Sequence, residues 1–510
     1  MIFINTAQNT TGLFKPFFPI TIPYGIGYLM AVLRKNGIRF SFVDQQVCKK
    51  PLARLRKIVD NHPKPYIFAI STLTESFSSA RKLSDRLKKL YPDSIIIMGG
   101  IHPSSMPSEI LFSVKSCDYV FVGEAESEIV AIYNIIKSGR NLSSVPGIGY
   151  RKGNEVIVNP PGIPIKDIDA LPDFPYDLFD SWKQYNRGHI ISSRGCPYNC
   201  SFCCVKTVGQ RRYRYKNSKT VVAELELLAE RYGQREIAFF DDNFLANKKR
   251  VEELCHEINS SAKLRGVTYS FQARTRDMNK EILELMFSSG FKAVFFGIET
   301  VSDTLLKQIG KDESVFEIEA AVKLAQGIGY KVMANFLFCL PGETVQVRDE
   351  CVDFAIHNNI DLAKFNNVVP YPGTAMYDQL LTENQLKILP DYKNFNSQEV
   401  LVRPFWKKAN FPFIPEGANG YGIKNEILFA YFRYYFRWRI IKRIVSDKGW
   451  GDAIISFGKS FGAFIKILPA LVVLLTDISI KFGFMFLSVF SVHGIKTRKL
   501  FKSLSAFNKK

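Results

Sequence analysis

Histidine and tryptophan are scarce in this chain, 6 and 4 of 510 residues, and there are only nine cysteines. Nine cysteines without regular spacing outside one cluster exclude a disulfide framework and point to a reducing compartment, the cytoplasm. The start, MIFINTAQNTTG, has none of the basic, apolar and small-residue sections of a secretory signal, so a protein that is not exported is expected. There is no internal repeat or long low-complexity segment. Long apolar runs are also interrupted: Ile467 to Phe490 contains Pro469, Asp477 and Lys481, whereas a spanning helix needs about 20 nearly unbroken apolar residues. Spanning, interfacial and buried helical readings of that stretch all stay open. Acidic residues are few near the end, where positions 401–510 hold 19 Lys and Arg against 5 Asp and Glu, most of a net charge of +20. Such a tail suits nucleic acid or an anionic membrane face, and composition does not choose between them.

What is present is a globular balance, 46% apolar and 23% charged, on a chain long enough for several cores. The first 140 residues alternate β-branched runs (MIFIN, FSFVD, YIFAIST, SIIIMGG, YVFVGE) with helical stretches such as GIGYLMAVLRKNG. That order predicts a parallel sheet of Rossmann-like, flavodoxin-like type over 1–140, with ligands beyond the carboxyl ends of its strands. Residues 141–185 read as a hairpin, GIGYRKGNEVIVNP, and a proline-punctuated linker. A second β/α series runs over 186–390, with strands in HIISSRG, EIAFFDD, YSFQARTR, AVFFGIET, VMANFLFCL and FNNVVPY, which predicts a full or partial β/α barrel with its site at the strand carboxyl ends. Over 391–510 the regularity fades into a basic, aromatic helical region containing AYFRYYFRWRIIKRI.

Four of the nine cysteines fall within SSRGCPYNCSFCCV, in the loop after the first strand of the second series. Thiolates suit zinc or iron-sulfur clusters. Structural zinc needs four ligands, usually in two separated pairs, and this loop offers a compact C-x3-C-x2-C. A cubane held by three cysteines leaves one iron open to a substrate or cofactor, which fits Cys196, Cys200 and Cys203 better. Cys204 reads as packing.

CPYNCSFC resembles the signature of the radical S-adenosylmethionine enzymes, with Phe202 as its aromatic residue. FFDDNF, FQARTR, FFGIET and FLFCLPGET resemble, in order, motifs of the second to fifth barrel strands of that superfamily, and PYPGT occurs widely in one branch of it. PYGIGYLMAVLRKNG, MGGIHPS and VGEAESE resemble the Rossmann-like domain of the cobalamin-binding branch.

The resemblance implies three cofactors: a 4Fe-4S cluster on Cys196, Cys200 and Cys203, S-adenosylmethionine chelated by the fourth iron, and cobalamin. It implies reductive cleavage to a 5′-deoxyadenosyl radical that takes hydrogen from an unactivated carbon, most simply for cobalamin-dependent C-methylation. The competing readings are a radical cyclase or carbon-coupling enzyme and, from another class, a non-catalytic iron-sulfur carrier or sensor.

Asp241, Asp242 and Glu299 are candidates for the ammonium or ribose of S-adenosylmethionine, with a helix cap as the bland reading of the aspartates. Gln272 and Arg274 are weaker candidates set against an internal salt bridge, and Gly297 belongs to the Gly-Ile-Glu motif. Ser71, Thr72, Gly99, Gly100 and His102 are expected to line the corrin or its nucleotide tail. The string D-x-H-x-x-G, which supplies a histidine to cobalt in other cobalamin domains, is absent, so His102 is expected as a loop residue and not as a ligand. The implied partners are a small-molecule or lipid substrate, a flavodoxin or ferredoxin as electron donor, and a membrane surface met through the basic tail at the inner face. Nucleic acid is disfavoured.

Overall fold

The computed structural model describes residues 1–7, 20–48, 50–180, 184–402, 409–435 and 437. The stretch Ile467 to Phe490 and most of the basic tail lie outside the described residues.

The first sheet is built from β1 (Ile2–Asn5), β2 (Ser41–Asp44), β3 (Ile67–Ser71), β4 (Ile95–Gly99), β5 (Tyr119–Phe121), β6 (Ile148–Lys152) and β7 (Glu155–Val158). Its order is β2-β1-β3-β4-β5-β6-β7. The first five strands pair in parallel, the flavodoxin-like order in which ligands sit outside the strand carboxyl ends. Ile2, Ile4, Phe68, Ile70, Ile96 and Met98 are buried between sheet and helices, as the near-continuous apolar runs of parallel strands require. Helix α1 (Tyr24–Lys35) turns its buried Tyr24, Ile26, Tyr28, Met30 and Leu33 inward.

The hairpin within residues 141–185 joins the first sheet. Its strands β6 and β7 continue the first sheet, antiparallel to β5. A two-stranded ribbon cannot bury its own face, and here Ile148 is fully buried against the sheet.

The second sheet holds β8 (His189–Ile190), β9 (Glu236–Phe239), β10 (Thr268–Ala273), β11 (Phe291–Glu299), β12 (Lys331–Phe338) and β13 (Leu362–Asn367), in sequence order and all parallel. Among the described residues β13 does not pair back to β8, so the arc is a partial barrel. Its crossover helices start on side-chain caps: Asn217, Asn247, Asn279 and Thr344 each accept from the backbone amide three residues on. Strand β12 shows the pleat plainly, with Val332, Ala334, Phe336 and Phe338 buried and Met333, Asn335 and Leu337 half-buried on the other face. The buried face packs on helices, and the alternate residues line the concave side of the arc.

The helix Gly420–Tyr435 closes over the far edge. Tyr431 and Tyr434 lie 5.6 and 6.0 Å from Phe365 of β13, and Arg433 pairs with Asp353. The described part of the aromatic, basic region thus uses its aromatics to cover the barrel. Among the described residues no helix is long and apolar enough to cross a membrane.

Candidate active site

Strand β8 is short because the chain leaves it at Ser192, where Asp241 at the end of β9 captures the turn. Asp241 accepts from the Ser192 amide and hydroxyl, both at 2.7 Å, and from the Ser193 hydroxyl at 2.6 Å, with Arg250 at 3.4 Å. It is fully buried. This corrects the expectation for Asp241: both its oxygens are spent on anchoring the cluster loop, and none faces a cofactor. Its neighbour Asp242 points the other way, accepts from the Gly195 amide at 2.8 Å and lines the large cavity. Gly195 has φ +84°, and a Cβ there would overlap the Arg212 carbonyl, so the tight path before Cys196 needs glycine.

Cys196, Cys200 and Cys203 follow on this loop as half-buried free thiols. The Ser201 amide is tied to the Ile309 carbonyl at 2.9 Å, and the Met376 amide to the Ser201 carbonyl at 3.0 Å. Burial raises the thiol pKa values of Cys196 and Cys200 and pushes Cys203 up to about 12, so metal binding here must displace protons. Among the described residues no three Cys, His, Asp or Glu side chains converge on a single ion. A cubane takes one thiolate per iron, and three thiols on one loop suit it. Phe202, between Cys200 and Cys203 in the chain, is half-buried and is not among the residues lining the cavity.

A polar rim stands beside this loop. Arg274, at the end of β10, donates to Glu313 at 2.7 Å and to the Lys311 carbonyl at 2.9 Å. Its guanidinium also lies 4.0 Å from the Cys200 sulfur and 3.9 Å over the Tyr198 ring. Both readings of Arg274 hold together: it is salt-bridged and it adjoins the cluster loop. Gln272, two residues earlier on the concave face, is exposed there.

Glu299 ends β11 with φ +70° after a register shift between Gly297 and Glu299. Such a bulge re-aims a side chain. A Cβ at Gly297 would overlap the Glu299 carboxylate, so Gly297 makes its room. Asn335 donates to Glu299 at 3.0 Å and receives from Asn366 at 2.6 Å, while Lys311 reaches the Gly297 carbonyl. Burial raises the Glu299 pKa and Lys311 opposes it. An anionic acceptor, two cations and amide side chains beside the thiol loop suit a zwitterionic ligand such as S-adenosylmethionine.

The ends of β3, β4 and β5 and the cluster loop enclose a cavity of about 590 Å³. Ser71, Leu73, Gly99, Gly100 and Glu124 line it from the first sheet, and Ser193, Arg194, Cys204, Val205 and Asp242 from the second. Gly100 has φ +107°, with a Cβ placed there only 2.7 Å from the Thr72 carbonyl. The two sheets are joined at this wall by buried ion pairs, Arg194 with Glu126 at 2.8 Å and Arg214 with Glu124 at 2.6 Å.

Two expected lining residues are absent from the cavity wall. Thr72 is buried and bonded to the Leu73 carbonyl and Ser76 hydroxyl. His102 is fully buried in a separate aromatic nest, 4.4 Å from the Phe77 ring and 4.8 Å from Tyr392, with Nδ1 3.2 Å from Thr74 Oγ1. Burial pushes its pKa down to about 3. Among the described residues no histidine lines the cavity, and its glycine-opened, largely apolar wall has room to hold a corrin. Cys204, read from sequence as packing, faces this cavity instead.

Sequence reasoning missed Lys311, Glu313, Asn335, Arg194 and Arg214. The only signal for the last two was the acidic string VGEAESE, which needs cationic partners once buried.

With this geometry described, comparison with known proteins identifies the parts. Residues 14–133 match the B12 binding domain and residues 190–355 the radical SAM superfamily. An uncharacterized methyltransferase of Pyrococcus horikoshii is 27% identical over 432 residues, 84% of this chain and 91% of that one. The anaerobic magnesium-protoporphyrin IX monomethyl ester cyclase of Cereibacter sphaeroides is 26% identical over 400 residues, 75% of this chain and 63% of that one. Among solved structures, the radical S-adenosylmethionine methyltransferase TsrM from Kitasatospora setae, with cobalamin and a [4Fe-4S] cluster bound, superposes with a TM-score of 0.66 at 17% identity, covering 84% of this chain and 90% of that one. The chain belongs to the radical SAM superfamily, in the branch with an N-terminal B12-binding domain, and is an enzyme whose cofactors are a 4Fe-4S cluster, S-adenosylmethionine and cobalamin.

Proposed function

We propose that the enzyme methylates an unactivated carbon of a small or hydrophobic substrate held between the rim at Glu299 and the interdomain cavity. The observation that carries this reading is the shared wall: Cys204, one residue past the cluster ligands, and Asp242, bonded to the loop at Gly195, line the same cavity as Ser71, Gly99 and Gly100. When bound, the cofactors supply the one-electron cleavage of S-adenosylmethionine to a 5′-deoxyadenosyl radical and the methyl group that replaces the abstracted hydrogen.

The chain's own residues do the positioning. Cys196, Cys200 and Cys203 hold the cluster, and Asp241 with Arg250 fixes the start of their loop. Glu299, steadied by Asn335, accepts from the ammonium or ribose of S-adenosylmethionine, and Arg274 and Lys311 balance the charge beside Cys200. Leu73, Gly99 and Gly100 support the corrin. The ion pairs at Arg194 and Arg214 hold the two walls in register, so both cofactors face one chamber.

The similarity to a protoporphyrin ester cyclase supports the second reading, ring closure with the same cofactors. Products separate the two: methyl transfer yields S-adenosylhomocysteine together with 5′-deoxyadenosine, whereas cyclisation yields 5′-deoxyadenosine alone. A reduced flavodoxin or ferredoxin is proposed as electron donor. The basic stretch after Tyr435 is proposed to meet an anionic membrane face, a role that fits a hydrophobic substrate. Flotation of the full chain with phosphatidylglycerol vesicles, lost on removing residues 447–510, tests that part.

A further inference from the structure

On the other flank of the short helices α2 (Ile101–Ser105) and α3 (Val205–Gly209), which pack together, lies a second concavity of about 400 Å³. The corrin cavity takes Gly100, Ile101, Cys204 and Val205. This one takes Ser105, Lys206, Thr207, Gln210, Arg211 and Gly373, and among the described residues no carboxylate lines it. Three observations bear on its ligand. Neither Lys206 nor Arg211 has an ion-pair partner among the described residues, and Arg211 is steered by the Asn199 side-chain oxygen. The Thr207 hydroxyl is buried with no hydrogen-bond partner, an orphan that costs free energy unless a ligand or water meets it. Gly373 has φ +84°, and a Cβ there would stand 3.0 Å from Ser105 Oγ and 3.1 Å from Thr207 Oγ1, so glycine keeps the space between the two hydroxyls open.

Lys206 and Arg211, without ion-pair partners among the described residues, and the orphan Thr207 hydroxyl form a donor set for a tetrahedral oxyanion, where charge-assisted bonds are the strong ones, while the Ser105 hydroxyl is spent on the Ile101 carbonyl at 2.9 Å and Gln210 Nε2 faces the Gly162 carbonyl at 3.4 Å. We propose that this concavity binds a phosphate-bearing group. Two sources present that chemistry: the phosphodiester of the cobalamin nucleotide tail, and a phosphate or diphosphate on the substrate. The inference goes beyond methyl transfer, and its test reads binding instead of turnover, so the two stand or fall separately.

The test is calorimetric titration of inorganic pyrophosphate into the cluster-loaded full-length chain at physiological ionic strength, carrying either hydroxocobalamin or cobinamide, which lacks the nucleotide tail. Binding in the cobinamide form only assigns the site to the tail phosphate, and binding in both forms assigns it to another phosphorylated ligand. Binding in neither overturns the proposal. In the cobinamide form the double variant Lys206→Met, Arg211→Met is expected to weaken affinity about tenfold or more. Thr207→Val is expected to weaken it without lowering Tm, because the hydroxyl it removes has no partner in the fold. Unchanged affinity in both variants also overturns the proposal.

Discussion

Ser192 gives Asp241 both its amide and its hydroxyl at 2.7 Å, so the end of one barrel strand is tied to the residue that opens the cluster loop. Arg250 completes the set from the following helix. Removing one charge of a buried pair leaves the other uncompensated, at a cost of about 3 kcal/mol. Asp241→Asn is therefore expected to lower the melting temperature and iron content together. An unaltered melting curve with normal iron would contradict an anchoring role.

Glu299 makes the complementary case, a carboxylate proposed to meet S-adenosylmethionine. Glu299→Gln and Gly297→Ala, whose methyl group would displace the carboxylate, are expected to weaken S-adenosylmethionine binding by roughly ten- to a hundredfold, the range of one charged hydrogen bond. Iron content and the visible spectrum of the cluster should stay at the wild-type level. Equilibrium dialysis with labelled S-adenosylmethionine checks this.

The cavity assignment separates two neighbours in the string MGGIHPS. Gly99 lines the cavity, and the nearest atom to a Cβ built there, on Phe121, is 3.9 Å away. Gly99→Val is thus expected to fill the corrin space without strain and abolish retention of hydroxocobalamin on gel filtration. His102→Gln, altering a residue outside the cavity, should retain the corrin. The reverse pattern would place cobalt at His102.

Burial holds three imidazoles below their ordinary value of 6.5: His62 and His189 at about 4 and His102 at about 3. A base whose folded pKa is depressed takes its proton first in the unfolded chain, so stability falls as pH drops below 6.5 and continues to fall toward pH 4. His102 and His189 each add a slope of at most about 1.4 kcal/mol per pH unit, and the less enclosed His62 adds less. Urea denaturation between pH 7 and 5 should show this loss, and His102→Gln should remove one proton's share. An identical slope in the variant would count against a neutral buried His102.

How much of this was legible in the sequence depended on range. The two parallel sheets, a barrel left open as full or partial, and the cysteine loop follow from local patterns, because short β-branched runs alternate with helical stretches and the loop carries its ligands close together in the chain. Which of two adjacent aspartates faces the ligand does not. Asp241 and Asp242 lie on opposite sides of one pleat, and the choice is made by Ser192 and Arg250, remote in sequence or on the next helix. His102 was drawn inward by Phe77 and Tyr392, the latter contributed by the segment after the barrel. Lys311 and Glu313 escaped notice for the same reason: only the fold brings them to Arg274, 37 and 39 residues away. The hairpin shows the same limit, since nothing local says which sheet edge will accept it.

A single assay probes whether the cluster and the corrin share one chamber, as proposed. Anaerobic, cluster-reconstituted enzyme is given S-adenosylmethionine, hydroxocobalamin and a strong reductant, and 5′-deoxyadenosine and S-adenosylhomocysteine are measured by mass spectrometry. Wild type is expected to form both, Gly99→Val to form 5′-deoxyadenosine with little S-adenosylhomocysteine, and the triple variant Cys196→Ala, Cys200→Ala, Cys203→Ala to form no 5′-deoxyadenosine. Equal 5′-deoxyadenosine from wild type and the cysteine variant, or S-adenosylhomocysteine undiminished in Gly99→Val, would contradict the account.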